Sequence, residues 1–77
     1  MKDFVLTIFK GIVDNPDEVS VEISEPDAAG VVIYKVKVAQ SDMGRVIGRN
    51  GRVIKSIKNL FKSYAAHLGV SAALEVE

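Results

Sequence analysis

Val46-Ile47-Gly48-Arg49-Asn50-Gly51-Arg52-Val53-Ile54 is the stretch on which the fold turns. Two glycines enclose two polar residues. An apolar pair precedes them, and another follows one residue later. Glycine at both ends lets a backbone turn sharply and approach another backbone closely. A helix opening just after the turn presents unpaired N–H groups and the positive end of its dipole, which suits a phosphate. Arg49 sits inside the turn, with Arg45 and Arg52 on either side. The stretch reads as a loop that grips a sugar–phosphate backbone.

The pattern on both sides of the loop fits that reading. After it, Val53, Ile54, Ile57, Leu60, Phe61, Tyr64, Ala65 and Leu68 recur at helical spacing, which predicts a helix from near Gly51 to about His67. Gly69 is a C-terminal stop. Ala72, Leu74 and Val76 then alternate with polar or small residues as a last strand. Before the loop, Ser41 is a suitable N-cap and Asp42 is well placed for the dipole of a short helix over 42–47. Residues 31–38 alternate as a strand, with Val32, Tyr34, Val36 and Val38 on one face. A turn over 25–30 joins it to an earlier strand around Val19, Val21 and Ile23. Phe4, Val5, Ile8, Phe9, Ile12 and Val13 predict an amphipathic helix over 2–14, stopped by Asp14-Asn15-Pro16-Asp17. The order is helix, strand, strand, helix, glycine loop, helix, strand.

Seventy-seven residues, 48% of them apolar, are expected to form one domain over 1–77. There is no cysteine, so disulfide, zinc-thiolate and thiol chemistry are excluded. No apolar run approaches a membrane span, and Met1-Lys2-Asp3-Phe4 does not open like a signal peptide. A cytoplasmic protein is expected. The net charge is zero, but it is unevenly spread. Residues 41–63 hold six basic groups and one acidic, while the remainder holds four basic and nine acidic. Local charge sets the potential at a bound phosphate, within about 8 Å at physiological salt.

Gly48-Arg49-Asn50-Gly51, with Ile47 and Ile54 on its flanks, resembles the GXXG signature of KH domains. Such a loop clamps nucleic-acid backbone. The same loop between a short and a long helix, after a hairpin and before a last strand, is similar to the type II, prokaryotic KH arrangement. The resemblance covers essentially the whole chain. It implies an α+β fold, α-β-β-α-α-β, with a three-stranded sheet packed against three helices. Small bacterial proteins that consist of a single KH domain are the nearest in kind. The function implied is single-stranded RNA binding through the loop, by a post-transcriptional regulator or RNA chaperone. The resemblance also implies an apolar groove for bases beside the loop. Ile47 and Ile54, which flank the loop, and Val36 and Val38 on the second strand are candidates for it, and the sequence does not divide the four between groove and core. Self-association and a heteromer with a larger KH-containing protein follow from the resemblance alone.

Among the cations, Arg45, Arg49, Arg52 and Lys55 are the phosphate candidates. For Lys55, Lys58 and Lys62 a solvated face is the first reading, and Lys62 lies about 16 Å along the helix from Gly51. Two roles are open for Asn50: donating to a phosphate, or tolerating a left-handed turn. Phe61 and Tyr64 lie on the helix's apolar face and read as core, which leaves no stacking platform by the loop. His67, the only histidine, reads as a helix-end residue, and no cofactor or metal is expected. No Walker or dinucleotide-binding pattern occurs, so a nucleotide-using enzyme is disfavoured. The alternative to RNA binding is an interaction or dimerisation subunit with little RNA affinity of its own.

Overall fold

Period-two alternation in the middle of the chain and after Gly69 becomes a three-stranded sheet. The computed structural model describes residues 1–77. Its elements are α1 (Lys2–Ile12), β1 (Ser20–Ile23), β2 (Val32–Lys37), α2 (Met43–Ile47), α3 (Arg52–Leu68) and β3 (Ala72–Val76). Short 3-10 turns stand at Pro16–Glu18, Gln40–Asp42 and Arg49–Gly51. The fold is α+β with the expected order of elements. The strands lie β1-β2-β3. The hairpin is antiparallel, with Val21 opposite Val36, and β3 runs parallel to β2, with Tyr34 opposite Leu74. A parallel neighbour requires a crossover. Here α2, the glycine loop and α3 are that crossover, which is why the loop lies at one end of the sheet. No helix is long and apolar enough to cross a membrane.

The apolar faces meet as their spacing predicts. Val5 and Phe9 from α1, Val46 from α2, and Ile57 and Phe61 from α3 share a core with Val36 and Leu74 of the sheet and Val38 just after β2. Full burial of a side chain such as Phe9 or Phe61 stabilises by about 1.5–3 kcal/mol. Phe61 takes the Tyr34 ring at 5.4 Å in an edge-on contact, while Phe4 stacks on Tyr64 at 4.2 Å and ties α1 to α3. The opposite face of the sheet carries the cross-strand row Glu22, Lys35, Glu75. Two of these three are exposed.

Two local expectations need correction, and one contact corrects both. The first helix ends at Ile12 and not at Asp14, and Val13 is already extended (φ −102°, ψ 157°). Ser41 does not cap the following helix. Asp42 stands at the N-cap position of α2 and makes no capping bond either. Instead the Asp42 carboxylate turns inward. Its Oδ1 accepts the N–H of Asp14 at 3.1 Å, and its Oδ2 accepts both the N–H and the Nδ2 of Asn15 at 3.1 Å. The amides that would have continued α1 donate to a carboxylate 27 and 28 residues away. Gly69 does end α3, its N–H directed at the Ala65 and Ala66 carbonyls.

Candidate functional site

The glycine loop is a single 3-10 turn wedged between two helices. Gly48 has φ +74° and ψ 178°, a region that is almost exclusive to glycine. A side chain there would also collide with Val53, whose Cβ lies 2.8 Å and whose N lies 3.0 Å from where the added carbon would sit. The close approach that Gly48 permits is therefore to the chain's own α3. Gly51 differs. Its φ is +72°, but an added carbon would meet only Ile54 Cγ2, at 4.0 Å. Asn50 is left-handed at φ +56°, the one non-glycine residue so placed.

Several loop amides have partners within the chain. The N–H of Gly48 donates to Gly44 at 2.9 Å and that of Gly51 to Gly48 at 3.3 Å. The N–H of Arg52 is directed at the Arg49 carbonyl. These three are not free for an anion, so much of the loop's attraction falls to side chains. Arg49, Asn50, Arg52 and Lys55 are all exposed. Arg45 is exposed too, but its guanidinium is paired with Asp14 at 3.2 Å. It faces the end of α1. Ile47 is 39% exposed, while Ile54 is half-buried.

A cleft of about 400 Å³ runs along α3 against β3, lined by Ile54, Lys55, Lys58, Lys62, Ala73 and Leu74 among others. Two of the candidates, Ile54 and Lys55, thus sit where loop and cleft join. Val36 and Val38, open to groove or core, belong to the core at 0% and 7% exposure. Lys58 and Lys62 are exposed, as a solvated face requires, and they also line the cleft. Lys55, Lys58 and Lys62 share one side of the helix. What that side faces depends on where β3 docks. From Met43 to Leu74 there is no acidic residue. No three His, Cys, Asp or Glu side chains come together as a metal-ligand set.

Asp42 is the only ionisable side chain that is buried, at 2% exposure. Burial pushes its carboxyl up. The N–H of Asp14, the side-chain amide and N–H of Asn15, and the nearby Arg45 charge outweigh burial and hold it below its ordinary value. Because the folded value lies below the unfolded one, the stabilisation is complete above about pH 3.9 and is lost as pH falls through the lower folded value. Thermal melts in acid check this. The gap in melting temperature between the native protein and Asp42→Asn is expected to narrow below about pH 4.

The family model described as "KhpA/KhpB, KH domain" matches residues 2–76. The chain is similar to proteins named "RNA-binding protein KhpA" in several bacteria. That of Chlamydia caviae is 42% identical over 76 residues, covering 99% of this chain and 95% of the relative. That of Clostridium acetobutylicum is 40% identical, covering 99% of each. That of Listeria monocytogenes is 36% identical, covering 99% and 97%. With the α-β-β-α-α-β order, the mixed three-stranded sheet and a family match over nearly its whole length, the chain belongs to the KhpA/KhpB family of KH domains.

Proposed function

We propose that residues 1–77 act as a single KH domain that binds single-stranded RNA without catalysis, as a post-transcriptional regulator or RNA chaperone. The observation that carries this reading is the acid-free segment from Met43 to Leu74, which supplies the loop and the cleft and sets Arg49, Arg52, Lys55, Lys58 and Lys62 along them. Gly48 and Gly51 shape the loop. Arg49, Asn50, Arg52 and Lys55 meet phosphates, and Arg45 adds field from behind. Ile54 and Ile47 offer apolar contact to bases, and Lys58 and Lys62 continue the positive surface along the cleft. The relatives' names support RNA as the ligand.

The polar lining of the cleft is three lysines and Asn59, charges suited to phosphates more than to base edges, so binding is expected to be weakly selective and strongly salt-dependent. Fluorescence anisotropy of a short mixed-sequence RNA tests it. If three to four phosphates are neutralised, affinity falls about 20- to 50-fold between 50 and 200 mM salt, from the single-strand slope of about −0.7 per phosphate. The second reading, an interaction subunit, is favoured by Val53 and Leu60. They lie seven residues apart on α3 and are 36% and 52% exposed. Two apolar side chains stacked on one helix face suit a second copy or a larger KH-containing chain. Absence of RNA binding by the native protein at high concentration would transfer the conclusion to that reading.

A further inference from the structure

We propose that Asp42 is the positioning residue of the glycine loop: with Asn15, it fixes α2 to the end of α1 and so presents Gly48–Gly51 in its binding shape. The inference rests on the RNA-binding reading for its functional meaning and on the structure for its geometry.

Helix α2 has five residues and buries one of them, Val46. So short a helix has little stability of its own, and its placement must come from tertiary contacts. At its far end stand three residues with positive φ: Gly48, Asn50 and Gly51. Such a loop keeps its shape only if the helices on both sides are held. α3 has seventeen residues and buries three of them, Ile57, Phe61 and Ala65, whereas α2 is held by Val46 alone, so α2 is the side that needs an anchor. At the start of α2 the Asp42 carboxylate accepts three hydrogen bonds, all from Asp14 and Asn15 and all at 3.1 Å. The Asn15 Nδ2 also lies 3.3 Å from Ser41 Oγ. One turn further along α2, Arg45 pairs with Asp14 at 3.2 Å. The same two residues after α1 therefore hold α2 from two sides.

The choice of a carboxylate is informative. Burying a charge is unfavourable unless it is fully hydrogen-bonded, and an apolar side chain serves stability as well or better. What an apolar residue cannot do is fix direction. Two carboxylate oxygens with three donors define the angle between the exit of α1 and the axis of α2. That angle decides where Arg49 points.

Native-state amide hydrogen exchange and RNA anisotropy test this on the whole chain. Asp42→Asn and Asn15→Ala remove parts of the anchor. Val5→Ala, at the other end of α1, is a control that lowers stability without touching it. The Gly48 and Gly51 amides are both hydrogen-bonded in the loop, so both report on its closure. Asp42→Asn is expected to lower protection at these two amides selectively, with Ile57 and Phe61 in α3 much less affected, and to weaken RNA about tenfold through lost preorganisation. Asn15→Ala gives the same pattern in smaller degree, and serves alone if Asp42→Asn does not fold. Val5→Ala lowers protection evenly and leaves RNA affinity near native. The proposal is overturned if the anchor variants lose protection evenly, as Val5→Ala does, or if they keep the loop amides protected. If the native protein does not bind RNA, the functional reading falls, and the exchange pattern still decides the positioning role.

Discussion

An Arg49→Asp/Asn50→Asp variant is expected to lose RNA affinity by more than about 50-fold while its circular dichroism and melting temperature stay near native values. The two halves of that expectation have separate grounds. Both side chains are exposed. Arg49 is in neither of the two ion pairs, which join Lys35 to Glu77 and Arg45 to Asp14. The fold therefore loses no partner. Asn50 sits at φ +56°, a conformation that aspartate tolerates almost as well as asparagine. Binding, by contrast, meets a change of three charge units at the centre of the loop. The surrounding Arg52 and Lys55 are too few to offset it. Anisotropy at low salt and a thermal melt check the two halves independently. Native-like affinity in this variant sinks the loop as the site.

Gly48→Ala is the second change with a large expected effect, and it acts on the fold. An alanine at φ +74° and ψ 178° is strained by about 1–3 kcal/mol. Overpacking against Val53 adds about 1–3 kcal/mol more. A loss of about 3 kcal/mol is a large part of the total stability of a domain this small, and corresponds to a fall of about 12–24 °C in melting temperature. Gly51→Ala has open space around it and is strained only by its left-handed backbone, so about 1–2 kcal/mol is expected. Melting temperatures of the two variants, side by side, test whether the glycines differ in this way. Equal losses would mean that Val53 yields easily and that the contact does not set the requirement for glycine.

What could be read from the sequence followed the range of the interactions. The order of elements, the hairpin and the stop at Gly69 are written in spacings of two to four residues. The unusual backbone of the loop is written in its glycines and in Asn50, whose left-handed turn is one of the two roles left open for it. Lys58 and Lys62 are exposed as their spacing predicts, but that they border a cleft is not legible, because nothing within a helix tells which side another strand will occupy. Val36 and Val38 could not be divided between groove and core for the same reason. Asp42 was the furthest from view. Its pattern suggested a helix dipole partner, but its donors are Asp14 and Asn15, and no local rule joins positions so far apart.

The parallel pairing of β2 with β3 has a kinetic consequence. Val32 and Ala72 are partners across forty positions of chain, and Val36 meets Val76 across as many. Pairings of that range must close a long loop before they return any stabilisation, so they slow folding relative to a helical bundle of equal length. The cleft has α3 for one wall and β3 for the other; three residues join them, but β3 has its hydrogen-bonded partner only once it pairs with β2. The hairpin and α3 can form early from local contacts, and the basic loop can be present on a chain that is still assembling. The cleft beside it cannot. The lysines of α3 gain the second wall of their groove in the same step that completes the sheet.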